Sequence, residues 1–165
     1  MTNTNLQDTK DLSFAGHQRW GGTYLIVADG SEEFDVALCY AARMANANKC
    51  RVGVFYAIEN QGFVHWGNIE KRMHDDQRNE AEKVVQAACI EIEDRGGAIP
   101  SIYIEEGSRL ETLATVIEND DKISMLILAA GTNSNNPGPL VSYFTGKGLS
   151  RLRVPVMVVP EHLEF

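Results

Sequence analysis

The chain predicts an α/β fold, a single doubly wound domain whose five parallel strands carry helices on both faces, and three observations predict it. Short apolar runs rich in β-branched residues alternate with segments of helical periodicity from Thr23 to Val159. The first and fourth of these runs, Tyr24-Leu-Ile-Val-Ala28 and Ile123-Ser-Met-Leu-Ile-Leu-Ala-Ala130, are close to unbroken in apolar residues, as strands buried on both faces are. Both empty into small polar turns, Asp29-Gly-Ser31 and Gly131-Thr-Asn-Ser-Asn-Asn-Pro-Gly138. Ligands in open α/β sheets collect at such carboxyl ends of strands.

Each element follows from its own residues. The first helix is expected from Glu32 to about Ala47, with Val36, Ala37, Tyr40, Ala41 and Met44 on one stripe. Arg51 to Ile58 (RVGVFYAI) makes the second strand, and a loop follows from Glu59 to Asn68. A long helix runs from near Ile69 to Arg95, its apolar face Met73, Ala81, Val84, Val85, Ala88 and Ile92, and Gly96-Gly97 stops it because glycine accepts left-handed angles. Ser101 to Glu105 is a short strand. Ser108-Arg-Leu-Glu111 has the spacing of a capping box opening the next helix, whose buried side is Leu110, Leu113, Ala114 and Ile117. Asn119-Asp120-Asp121 ends it before the fourth strand. The last strand, Val154 to Val159, is bracketed by Pro155 and Pro160; proline cannot donate to a ladder, so an edge position is expected.

Composition narrows the function classes. With 165 residues the chain is one domain's worth, divided into a polar tail over residues 1–20 and an α/β domain over 21–165. Fifteen Lys and Arg against 23 Asp and Glu give a formal charge of −8, which opposes nonspecific binding to nucleic acid and to anionic membranes. The longest strictly apolar run, Met125 to Ala130, is far shorter than the roughly 20 residues of a spanning helix. Cys39, Cys50 and Cys89 are odd in number, have no CxxC spacing and lie in or beside apolar segments, the pattern of reduced, packed thiols in cytosol. The tail holds no apolar stretch of signal-peptide length, so a cytoplasmic location is expected.

The polar turns are the candidate chemistry. The loop after Ala130 offers backbone N–H groups of Thr132, Ser134 and their neighbours, which suits an anion, although Pro137 and Pro139 remove two donors. Read on its own it is either a ligand site or an ordinary surface connection. Asp29 either meets a ribose hydroxyl or a hydrated metal, or helps Ser31 cap the first helix. Gly62-Phe-Val-His-Trp-Gly67 is either a lid or oligomer contact, or a loop whose rings pack on the domain. His74-Asp75-Asp76 reads as a solvated helix face, since adjacent helical residues point apart. No GxxxxGK[ST], HExxH or GxSxG motif occurs, and no triad, zinc site or thiol nucleophile is indicated; no enzymatic turnover is expected.

With these motifs in place the chain resembles the universal stress protein family from Tyr24 to Pro160. The likeness rests on Leu25-Ile-Val-Ala-Asp-Gly-Ser-Glu32, Val54-Phe-Tyr-Ala-Ile58, Glu106-Gly-Ser108, Leu126-Ile-Leu-Ala-Ala-Gly-Thr132 and Val154-Pro-Val-Met-Val-Val-Pro160. The resemblance implies strand order 3-2-1-4-5, a homodimer joined through the last strand (Val154 to Val159), and a site for ATP or another adenine nucleotide, with magnesium only as companion to a bound nucleotide. By residue matching it assigns the ribose-side acid to Asp29 beside Ala28, and the backbone that meets adenine to Ala57. Nucleotide-binding members carry Gly, two residues, Gly, nine residues, Gly, then Ser or Thr. Here Gly131 fits, Ser134 replaces the second glycine, Phe144 stands at the third and Thr145 fits the last, with Gly146 beyond it. The glycine motif is therefore incomplete, as in a divergent branch of the family.

Overall fold

The computed structural model describes residues 21–59, 67–131 and 137–164. Its elements run β1 (Thr23–Val27), α1 (Glu32–Ala47), β2 (Arg51–Ile58), α2 (Gly67–Asp94), β3 (Ser101–Glu106), α3 (Arg109–Asn119), β4 (Ile123–Ala130), α4 (Pro139–Phe144), a 3-10 turn (Leu149–Arg151) and β5 (Val156–Pro160). The strands form one sheet, every pairing parallel, in the order β3-β2-β1-β4-β5. The architecture is the one the alternation and the resemblance imply.

Helices α1 and α2 pack on one face of the sheet and α3 and α4 on the other. Residues of alternate parity feed the two cores. Ile26, Ala28 and Val54 pack with Phe34, Leu38, Val85 and Ile92 on the first face. Leu25, Val27, Phe55 and Leu128 pack with Leu113, Ile117, Leu140 and Phe144 on the second. In α1 the deepest residues are Phe34, Ala37, Leu38, Ala41, Ala42 and Ala45, while Val36, Tyr40 and Met44 are only partly buried. The stripe is rotated from the expected one because the alanines allow α1 close to the sheet, where it touches β1, β2, β4 and β5.

Most stop signals act as their chemistry requires. Gly96, at φ 77°, turns the chain out of α2, and Gly97 N–H donates to Ile92 O at 2.9 Å. Pairing in β5 begins at Val156 opposite Leu126, two residues later than expected. Pro155 has no N–H and offers the ladder only its carbonyl, which accepts from Leu126 N–H at 2.9 Å.

Two local expectations are corrected. Ser108 is the N-cap residue of α3, yet its hydroxyl makes no capping bond. Glu111 instead forms a two-pronged pair with Arg151, Oε1 to Nη1 at 2.8 Å and Oε2 to Nη2 at 2.7 Å, which holds its carboxyl below the usual range. A planar guanidinium matched to a carboxylate displaces the weaker bond to a backbone amide. His74 is not simply solvated: Nε2 lies 3.0 Å from Glu106 Oε1, joining α2 to the end of β3.

Tyr103 ties the edge strand to the opposite helix. Its hydroxyl donates to Asp120 Oδ2 at 2.7 Å. Burial, then this bond, pushes the phenol up to about 12. Burial works to raise the Asp120 carboxyl, but the Tyr103 hydroxyl and the Lys122 N–H together hold it below its ordinary value. The three cysteines are free thiols, and burial pushes those of Cys39 and Cys89 up, away from reactive thiolate. Among the described residues no helix is long and apolar enough to cross a membrane.

Candidate functional site

The sheet reverses its winding between β1 and β4, and the carboxyl ends of β2, β1 and β4 lie side by side there. Val27 is level with Phe55 and Ile26 with Ile127. Continuing each strand outward brings Ala28, Asp29, Ala57 and Gly131 to one rim. Segments far apart in sequence thus meet where the resemblance places a ligand.

Ala57 contributes main chain. In a parallel ladder the N–H and C=O of one residue point to the same neighbouring strand, and successive residues alternate. Phe55 O accepts from Ala28 N–H at 2.8 Å, so Phe55 faces β1; Ile58 O accepts from Gly107 N–H at 3.0 Å, so Ile58 faces β3. Ala57 therefore faces the β1 side, beyond the point where β1 has ended. Its N–H and C=O have no backbone partner there among the described residues, although the residue is buried. A buried peptide group without a partner calls for a ligand or water.

Asp29 fastens the turn beside it. Its Oδ1 accepts from Ser31 N–H at 3.1 Å and from Ser31 Oγ at 2.7 Å, and Gly30 supplies φ 73° between them. Ser31 is the N-cap residue of α1 but makes no side-chain capping bond, so the two residues bond each other rather than the helix.

Gly131 presents a bare α-carbon, and the space a Cβ would fill is taken by Glu33 from the first turn of α1. Its carboxylate lies against that position, with Cδ 3.4 Å and Cγ 3.8 Å from it. Glu59, one residue past β2, accepts from Arg109 N–H at 3.0 Å and pairs with the Arg109 guanidinium at 3.4 Å. Sequence reasoning passed over both glutamates. Glu33 resembles any first-turn acid suited to a helix dipole, and Glu59 meets a partner fifty residues away.

The remaining assignments separate. Thr132 and Ser134 lie outside the described residues, as do residues 62–66 of the aromatic loop. Thr145 and Gly146 sit at the opposite end of α4 from its N-cap, Gly138. Thr145 Oγ1 donates to Val141 O at 2.7 Å, inside its own helix. Phe144 has no exposed surface and lies in the core beneath α4, its ring edge-on to Tyr143 with centroids 5.0 Å apart. Lys147 lies beyond the end of α4, 5.6 Å from the centre of the Tyr143 ring. Among the described residues no three His, Cys, Asp or Glu side chains are grouped to hold a metal.

The nucleotide that the resemblance implies would set a base edge against the Ala57 peptide and a sugar against Asp29. At Gly131, where phosphates would approach bare backbone, the protein has put its own carboxylate.

A doubly wound α/β domain whose strand ends meet at its winding reversal is the class these features define. The profile of the universal stress protein family matches residues 23–160, and the chain belongs to that family. Similar solved structures include universal stress protein UspA from Lactobacillus plantarum, 16% identical, covering 84% of this chain and 97% of that one with a TM-score of 0.68. A universal stress family protein from Burkholderia pseudomallei is 19% identical, covering 86% and 98% of the two chains with a TM-score of 0.65. A universal stress protein in complex with cAMP is 16% identical, covering 85% and 97% with a TM-score of 0.61. At these identities the likeness is one of fold. No curated protein matches by sequence.

Proposed function

We propose that this universal stress protein holds an adenine-bearing small molecule on the rim formed by Ala28, Asp29, Ala57 and Gly131, without turning it over, in a stress response. The peptide edge of buried Ala57, unpartnered among the described residues, carries the reading, because the donor and acceptor of an adenine edge complement it. The similar fold that holds cAMP supports it. Magnesium belongs only with a phosphorylated ligand. On adding adenosine or cAMP at millimolar concentration, the Ala57 amide should shift in a two-dimensional nitrogen–proton spectrum, and the ligand should be recovered unchanged. An Ala57 signal that stays put with every adenine compound rejects the site; turnover that disappears with Asp29→Ala rejects the non-enzymatic reading.

The working unit is a cytoplasmic homodimer joined through β5. Its three free thiols suit a reducing compartment. The outer edge of β5 carries partly exposed Val156 and Met157, and Val158 keeps 38% of its surface exposed. A second β5 would cover that edge, which is otherwise a liability for a sheet. Sedimentation should show a dimer for the parent and a monomer for the Val156→Asp, Val158→Asp double variant. An unchanged dimer would put the contact elsewhere.

A further inference from the structure

The rim combines a place for a base with a place where an anion is already present. Gly131 leaves a slot beside the first turn of α1, where the missing side chain lets a charged group come close. Glu33, from the same helix turn, fills that slot with its own carboxylate, seated where a Gly131 side chain would be. A phosphate entering there must displace this group and then remain beside it.

Three cations among the described residues are already engaged. Arg109 is paired with Glu59, Arg151 with Glu111, and Lys147 lies over the Tyr143 ring. The other carboxylate on the rim, Asp29, adds to the negative field.

We infer that Glu33 is a specificity-determining residue that selects an uncharged adenine nucleoside and excludes its triphosphate. This deepens the proposed function and rests on that reading of the rim. Base and sugar contacts at Ala57 and Asp29 are indifferent to Glu33, whereas each phosphate charge is repelled by it. The order of affinity is adenosine, then cAMP with its single charge, then ATP.

Titration calorimetry on the full chain with adenosine, cAMP and ATP tests the order. The parent should bind adenosine about tenfold or more tightly than ATP, a ratio equal to ~1.4 kcal/mol or more. Glu33→Gln should strengthen ATP about tenfold and leave adenosine within roughly twofold. Asp35→Asn removes the same charge from the same helix, but its side chain lines the groove between α1 and α2, so it should leave the ratio unchanged. Added salt gives a second reading on the parent alone: screening should raise the ATP affinity and spare adenosine. Adenosine binding accompanied by equally tight ATP binding, or by a ratio that neither Glu33→Gln nor salt moves, overturns the inference and leaves the site standing. Absence of adenosine binding to either protein, with the Ala57 amide unmoved, overturns the site itself.

Discussion

Phe144→Ala is expected to lower the free energy of unfolding by about 3–5 kcal/mol, the usual loss when a buried phenylalanine becomes alanine. The ring has no exposed surface and packs with Leu140, Val141, Leu113 and Ile117 in the core between α4, α3 and the sheet. Removing it takes away the apolar contact and leaves a cavity that a six-residue helix pinned at Gly138 cannot collapse without shifting. Urea unfolding followed by circular dichroism measures the change, with Phe144→Leu expected to keep most of the stability. A loss under about 1 kcal/mol for the alanine variant would show the ring on the surface, where such changes are small. The same result bears on the glycine motif. Counting along the sequence sets Phe144 at a glycine position of nucleotide-binding relatives, but glycine here would remove a core residue rather than open a phosphate cradle.

Arg153→Met is expected to cost about 1.5–3 kcal/mol, the worth of hydrogen bonds from a charged donor. Arg153 lies just ahead of β5 and reaches three carbonyls: Nε to Ile117 O at 2.8 Å, Nη1 to Ile123 O at 3.2 Å, and Nη2 to Asp120 O. The guanidinium thereby closes the carboxyl end of α3, the following turn and the start of β4 at once. The last turn of α3 has no basic residue of its own, so the positive charge that suits a helix carboxyl end comes from another part of the chain. Methionine keeps the apolar stem and removes every donor. The midpoint of thermal unfolding should fall by about 3–12 °C. Arg153→Lys should recover only part of the loss, because a single ammonium cannot span three separated carbonyls. Full recovery with lysine would assign the effect to charge alone.

Much of the fold was legible because it rests on local signals. Short apolar runs and period-3.6 patterning located the five strands and the principal helices, and Gly96-Gly97 and Asn119-Asp120-Asp121 ended α2 and α3 where expected. Proline marked the last strand as an edge, and the strand order agrees: β5 closes one side of the sheet. Pairings between distant residues were not legible. Nothing within a helix turn tells Glu111 to prefer Arg151, forty residues on, over the amide beside it. Nor does the Asp-Gly-Ser-Glu-Glu run say that Glu33 turns toward Gly131, nearly a hundred residues later. The candidate rim was half visible: strand ends announced Asp29 and Gly131, whereas the role proposed for Ala57 came from a resemblance and Thr145 was matched by counting along the sequence.

The methyl of Ala57 packs in the core, and what the residue would offer a ligand on the rim is its peptide groups, which do not depend on the side chain. Any small residue that keeps an extended backbone presents the same N–H and C=O. An alanine scan cannot probe the position, which is already alanine. Contacts of that kind leave no trace in a catalogue of reactive side chains, and isotope-labelled amides are the direct way to see them.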